Sequence, residues 1–193
     1  MKLFTNRFIK DICWSVLFLC VYYALTHNSI TYPQVTREEG VWSIEKMQRP
    51  LALRLAGHNF LVLRDDKGKV VSELHGLATD TTTNTWKRVG TGRGEILHVW
   101  EFTDGHTGEE VGRLPGVVLK EGSEIELRTL WQKGKVCADK INEENIPYPA
   151  FGISMYETEN SNSVAYTLMK CMGFNSKHIG LIVPGEQTDL LAK

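Results

Sequence analysis

Gly57-His58-Asn59-Phe60-Leu61-Val62-Leu63-Arg64-Asp65-Asp66-Lys67-Gly68-Lys69-Val70-Val71-Ser72-Glu73-Leu74-His75-Gly76 reads as a β-hairpin with a histidine at each open end. Two apolar-rich runs flank Asp65-Asp66-Lys67-Gly68, where the aspartates start a turn and Gly68 accepts positive φ. With Arg64 paired to Lys69 across that turn, His58 falls directly opposite His75. Residues so opposed have Cβ atoms roughly 4.5–5.5 Å apart, close enough for one imidazole to orient the other. The plainer alternative is two unrelated histidines near strand ends.

The 193 residues, 42% hydrophobic and 23% charged, suit one globular domain plus an N-terminal segment. A net charge of −1 with scattered basic residues provides no electrostatic footprint for nucleic acid. The four cysteines include no CxxC pair, so they offer neither a disulfide scaffold nor zinc-ligand spacing. Cys137 and Cys171 are the only candidates for an intradomain bridge. Both fall on apolar helical stripes and are expected as core thiols, a location outside the cytoplasm raising the odds of a bridge without making it the expectation.

Lys2, Arg7 and Lys10 precede an uncharged run from Ile12 to Leu25. The run is short for a spanning helix and right for a signal h-region, yet no small-x-small cleavage site follows, since Tyr22 precedes Ala24. Residues 1–27 are therefore expected to be an uncleaved signal anchor, touching the membrane through residues 8–26. A cleaved signal, giving a secreted protein, is the alternative, and a buried helix of a soluble protein is a third. The basic flank places the remainder on the extracytoplasmic, periplasmic side.

Residues 28–50 read as a linker and short leader, and 51–193 as the domain. Leu51 to Leu55 suggests a strand, 77–95 a long Thr- and Gly-rich loop, Ile96 to Thr103 a strand, and Glu110 to Leu119 a short extended segment. Ser123-Glu124-Ile125-Glu126 is a capping-box pattern that opens a helix running to Asn145-Ile146-Pro147. After an extended connection, Tyr148 to Tyr156, a second helix starts at Asn160-Ser161-Asn162-Ser163 and stops at Gly173. Ile179 to Val183 suggests a last strand. The fold class is α+β: an antiparallel sheet with the His-bearing hairpin, packed against two C-terminal helices and preceded by a membrane segment.

Gly57-His58-Asn59-Phe60-Leu61-Val62, then Glu73-Leu74-His75-Gly76, then Asn160-Ser161-Asn162-Ser163-Val164 appear in that order. Over about residues 50–175 this resembles the circularly permuted papain-like hydrolases and acyltransferases, the branch of lecithin:retinol acyltransferase. There a histidine opens the hairpin, a second polar residue lies on the neighbouring strand, and Asn-Cys-Glu-His-Phe begins the later helix. The resemblance implies an amide or ester hydrolase or acyltransferase acting on a peptide or lipid acyl substrate; separately, the sequence leads to the expectation of no cofactor and no metal. Ser161 would be nucleophile, His58 general base and His75 its orienter, with Asn160 and Asn59 in support. Serine in place of cysteine is the departure, because a hydroxyl must surrender its proton to a base during attack.

Two other readings belong beside that one. Asn and Ser are among the best helix N-caps, so 160–163 needs no catalytic explanation, and His58 is also read as a core-edge histidine bonded to backbone. A catalytically inactive papain-like module that binds an envelope component or a partner protein would carry the same sequence. His98, His106 and His178 are read as structural or solvated, and their spacing does not resemble HExxH. The oligomeric state is left open by the sequence.

Overall fold

The computed structural model describes residues 33–51, 56–88, 90–103, 111–150, 159–181 and 183–192. The N-terminal apolar segment lies outside these, as do 52–55 and 151–158, so the expected anchor, all but the first residue of the strand expected from Leu51 to Leu55, and most of the expected connection from Tyr148 to Tyr156 fall outside the described residues. Among the described residues, no helix is long and apolar enough to cross a membrane.

Six strands, β1 (Trp42–Leu51), β2 (Ala56–Arg64), β3 (Val70–Asp80), β4 (Thr85–Lys87), β5 (Glu95–Thr103) and β6 (Gly116–Gly122), form one sheet, followed by α1 (Glu124–Glu143) and α2 (Ser161–Cys171). Every pairing is antiparallel. β5 runs along one edge of β3 from Ser72 to Asp80. The other edge is shared: β2 pairs with its first half, Val70 to Leu74, and β4 with its end, Ala78 to Asp80. β1 and β6 complete the sheet beyond β2. β2 and β3 therefore part company after Leu61 and Leu74, which leaves a fork in the sheet.

Strand alternation divides the interior in two. Ile44, Leu61, Leu63, Leu74, Leu97 and Val99 face the helices and meet Leu127, Trp131, Ile141, Val164 and Leu168. Met47, Phe60 and Val62 face the other way and form a smaller cluster with Val111. One glycine permits the docking of α2: a Cβ on Gly76 would lie 2.6 Å from Val164 Cγ2 and 3.1 Å from Ser161 Cα.

Both helix starts follow their capping signals. The Ser123 side chain accepts from Glu126 N, and Asn160 forms a reciprocal box with Ser163. Gly173, at φ +86°, follows the C-cap of α2.

Several expectations need correction. The leader is in fact β1, a ten-residue interior strand between β2 and β6, because Ile44 and Met47 supply core to both faces. The expected 77–95 loop begins with the end of β3 and contains β4, joined by a turn in which Asp80 Oδ1 accepts from Thr82 N and Thr83 N; apart from that turn, only the described residues from Arg88 to Gly94 are without strand. No strand forms among the described residues of 179–183, although Ile179, Leu181 and Val183 are buried. Cys137 and Cys171, expected as free thiols, are joined in a disulfide between α1 and α2.

The bridge closes a span of 34 residues, which restricts the unfolded chain. The double variant Cys137→Ala/Cys171→Ala is expected to lose about 2–4 kcal/mol of unfolding free energy in urea titrations. Wild-type protein should show the same loss when a reductant is added, and the variant should not respond.

Candidate functional site

The hairpin register differs from the expected one by two residues. Leu61 pairs with Leu74, Val62 with Glu73 and Leu63 with Ser72, with a bulge at the next step so that Arg64 meets Val70. The turn is one residue longer than expected, on the β3 side, and the bulge supplies the second residue of the shift: Asp65 N donates to Lys69 O, and Asp65 Oδ1 accepts from both Lys67 N and Lys69 N. Continued by one pair, this register sets Phe60 rather than His58 beside His75, and the Phe60 and His75 rings stack at 4.2 Å. A shift of two preserves the face. His58 and His75 thus still share one side of the sheet.

They meet diagonally across the fork, with His58 Nε2 and His75 Nδ1 3.2 Å apart. His75 Nε2 lies 2.9 Å from Glu73 Oε2. His75 Nε2 faces the Glu73 carboxylate and its Nδ1 faces His58 Nε2: a neutral His75 accepts there from His58 Nε2–H, and a protonated His75 donates to His58. All three side chains are buried, with exposures of 3% for His58, 2% for His75 and 0% for Glu73. Glu73 Oε1 is buried without a hydrogen-bond partner among the described residues. Burial, above all, holds the His58 pKa well below the ordinary histidine value, and the nearby charges of His75 and Arg49 push the same way. Arg49 sits directly opposite His58 on β1.

Ser161 is not part of this group. It is the first residue of α2 and approaches the sheet from the helix side, against Gly76, whereas His58 and His75 project from the opposite side. Among the described residues no hydrogen bond joins it to either imidazole. Its hydroxyl instead interacts with the phenol of Tyr148, whose pKa is raised chiefly by burial. The expected Ser-His-His arrangement is thus corrected to a His58-His75-Glu73 chain on one face and a Ser161-Tyr148 contact on the other.

Asn160 and Asn59 also hold structural posts. Asn160 caps α2 and donates from Nδ2 to Pro184 O. Asn59 Oδ1 accepts from Gln48 Nε2, and its Nδ2 lies 3.4 Å from Glu186 Oε1. The residue that joins helix to hairpin is Asn162: its Oδ1 accepts from Asn59 N at 2.8 Å and its Nδ2 donates to Pro184 O. Beside these lies Lys46, 1% exposed, whose ammonium bonds to Glu186 and donates to Lys177 O. Burial lowers its pKa and Glu186 opposes that shift.

Of the other histidines, His98 is tilted against Trp100 with its pKa lowered by burial, and His178 is largely exposed beside Glu186. His106 lies outside the described residues. Among the described residues no group of three His, Cys, Asp or Glu is arranged to hold a metal ion.

Glu73 was visible in the sequence, since it stands two residues before His75 and so on the same face. Arg49 was not, because its position depends on β1. Tyr148 and Asn162 carried no separable signal. No family model, curated protein or solved structure matches the chain.

A histidine whose folded pKa is lowered leaves the unfolded chain, with its ordinary value near 6.5, holding more protons between the two pKa values. His58 therefore contributes stability that is complete above about pH 6.5 and drains away as pH falls. Urea midpoints should drop from about pH 7 to about pH 5, with His58 adding a slope of up to about 1.4 kcal/mol per pH unit. In His58→Gln, which keeps a donor toward His75, that part of the slope should vanish.

Proposed function

We propose that the chain is a membrane-tethered, extracytoplasmic binding domain rather than a serine hydrolase or acyltransferase, with a papain-like order of elements put to a non-hydrolytic use. The observation that carries this reading is the separation of hydroxyl and imidazoles on two sides of the sheet. A serine nucleophile needs a base within hydrogen-bond reach, about 2.6–3.2 Å. Ser161 has a phenol as its neighbour, and a phenol whose proton is held more tightly by burial is a poor acceptor for a second proton.

Support for the compartment comes from two independent features. A basic stretch followed by an uncharged apolar run heads the sequence, and a disulfide links the two helices. Disulfides of this kind persist where the surroundings are oxidising. The partner would be an envelope component or another protein, held without covalent turnover. The buried His58-His75-Glu73 chain then serves as a polar strut: it keeps the parted strands at a fixed distance by hydrogen bonds that span the fork.

A serine-directed fluorophosphonate tests this. No covalent adduct is expected on Ser161 in the full-length protein, and Ser161→Cys should not react faster with iodoacetamide than an ordinary buried thiol. Ser161→Ala should cost only about 1 kcal/mol, the worth of one hydrogen bond. Stoichiometric labelling that disappears in Ser161→Ala would restore the hydrolase.

A further inference from the structure

Two imidazoles and a carboxylate span the fork as one buried chain, and the number of protons they can hold differs between a closed fork and an open one. His58 Nε2 lies 3.2 Å from His75 Nδ1, and His75 Nε2 lies 2.9 Å from Glu73 Oε2. With both rings neutral, His58 donates to His75. One added proton leaves the contact intact, since a protonated ring on either side still faces a neutral nitrogen. A second added proton sets N–H against N–H at 3.2 Å, and the contact becomes repulsive. The closed fork therefore holds one added proton, whereas two solvated histidines take up two below about pH 6.5.

The surrounding groups reinforce that limit. From β1, Arg49 stands directly opposite His58, and after burial itself the charges of His75 and Arg49 oppose a proton there. Glu45 shares this face of β1 but is engaged by Arg37 and Arg64. From β3, Glu73 favours a proton on His75, which it touches. Phe102 on β5 and Trp86 on β4 bring rings without charge, with the exposed Arg88 beside them. The short turn Val111–Arg113 contributes Val111 to the cluster on this side and leaves Arg113 exposed. On the helix side, α2 offers the uncharged Asn162.

Backbone pairing between β2 and β3 covers only Leu61–Arg64 against Val70–Leu74. Beyond Leu61 the strands are joined, among the described residues, by the His58–His75 contact, the Phe60–His75 stack and Asn162, which accepts from Asn59 N. β2 stays paired to β1 as far as Ala56, and β3 to β5 from Ser72 to Asp80, so either strand can move at the fork without losing its own sheet partner. We propose that the His58-His75-Glu73 chain is a proton-operated latch: neutral solution keeps the fork closed, and acid parts β2 from β3 beyond Leu61 while the rest of the domain stays folded. Opening takes up a proton, so its equilibrium constant rises by up to about tenfold for each pH unit below about 6.5. A domain outside the cytoplasm meets the pH of its surroundings directly. The latch itself stands on the geometry of the fork and holds whether or not the domain binds a partner.

Amide hydrogen exchange of the full-length, disulfide-bonded protein tests the latch, followed by NMR from about pH 7 to about pH 5 and corrected for the intrinsic rate at each pH. Asn59 N–H points into the fork, whereas Ala138 and Ile141 lie buried in α1. Asn59 should lose protection by up to about tenfold per pH unit, without responding to low urea, and should stay less protected than Ala138 and Ile141, which exchange by global unfolding. In His58→Gln, whose amide donates to or accepts from His75 but takes up no proton, the pH dependence at Asn59 should disappear. Protection at Asn59 that is flat with pH, that matches Ala138 and Ile141 in size and urea response, or that falls equally in His58→Gln would each overturn the latch. If His58→Gln does not fold, the wild-type comparison of Asn59 with α1 decides alone.

Discussion

The parting of β2 from β3 after Leu61 and Leu74 governs the arrangement of everything functional in this domain. Beyond that point the inner edge of β2 no longer has β3 to bond with, and a buried strand edge left without partners is costly. Asn162 answers part of this need by accepting from Asn59 N. α2 must therefore start at the fork, and only the missing side chain of Gly76 allows it to come that close. On the other side the gap is bridged by side chains, with His58 reaching His75 and Phe60 stacking on it.

The two sides of the sheet consequently have different characters. Toward the helices the polar groups form a stitched border around an apolar core: Gln48, Asn59, Asn160, Asn162 and Lys46 each bond to backbone or to Glu186. Away from the helices, charges sit deep within the smaller cluster. Glu45, fully buried, is held by Arg37 and by Arg64 Nε at 3.0 Å. Buried pairs of this kind add little net stability, since desolvation offsets attraction, but removing one member strands the other. Their geometric effect is to fix the turn end of the hairpin, as the His58-His75-Glu73 chain fixes its open end.

Much of the fold could be read from the chain. Both helices, their caps at Ser123 and Asn160, the stop at Gly173 and the strands on either side of Gly68 have local signals, and local physics decides them. The register did not, because Asp65 gathers Lys67 N and Lys69 N onto one carboxylate and a bulge adds a residue to β3. β1 was missed for a related reason: Glu45, Lys46, Gln48 and Arg49 look like surface residues, yet distant partners such as Glu186 and Arg64 let the first three of them be buried. The grouping of Ser161 with the histidines followed motif order. Order along a chain cannot say which side of a strand a residue takes, and a fork with a helix on one face and imidazoles on the other separates residues that sequence alone would unite.

The C-terminal segment closes the helix side of the domain: Pro184 O receives two asparagine side chains, Leu181 N bonds to Gln48, and Glu186 neutralises Lys46. Leu181 and Glu186 lie more than a hundred residues downstream of the strand they complete. During synthesis the first strands emerge long before their counterparts, so a nascent chain still held by the ribosome upstream of Glu186 contains a lysine with no counter-ion to accompany it into the interior. The helix side of the sheet is accordingly sealed only when Leu181, Pro184 and Glu186 are in place.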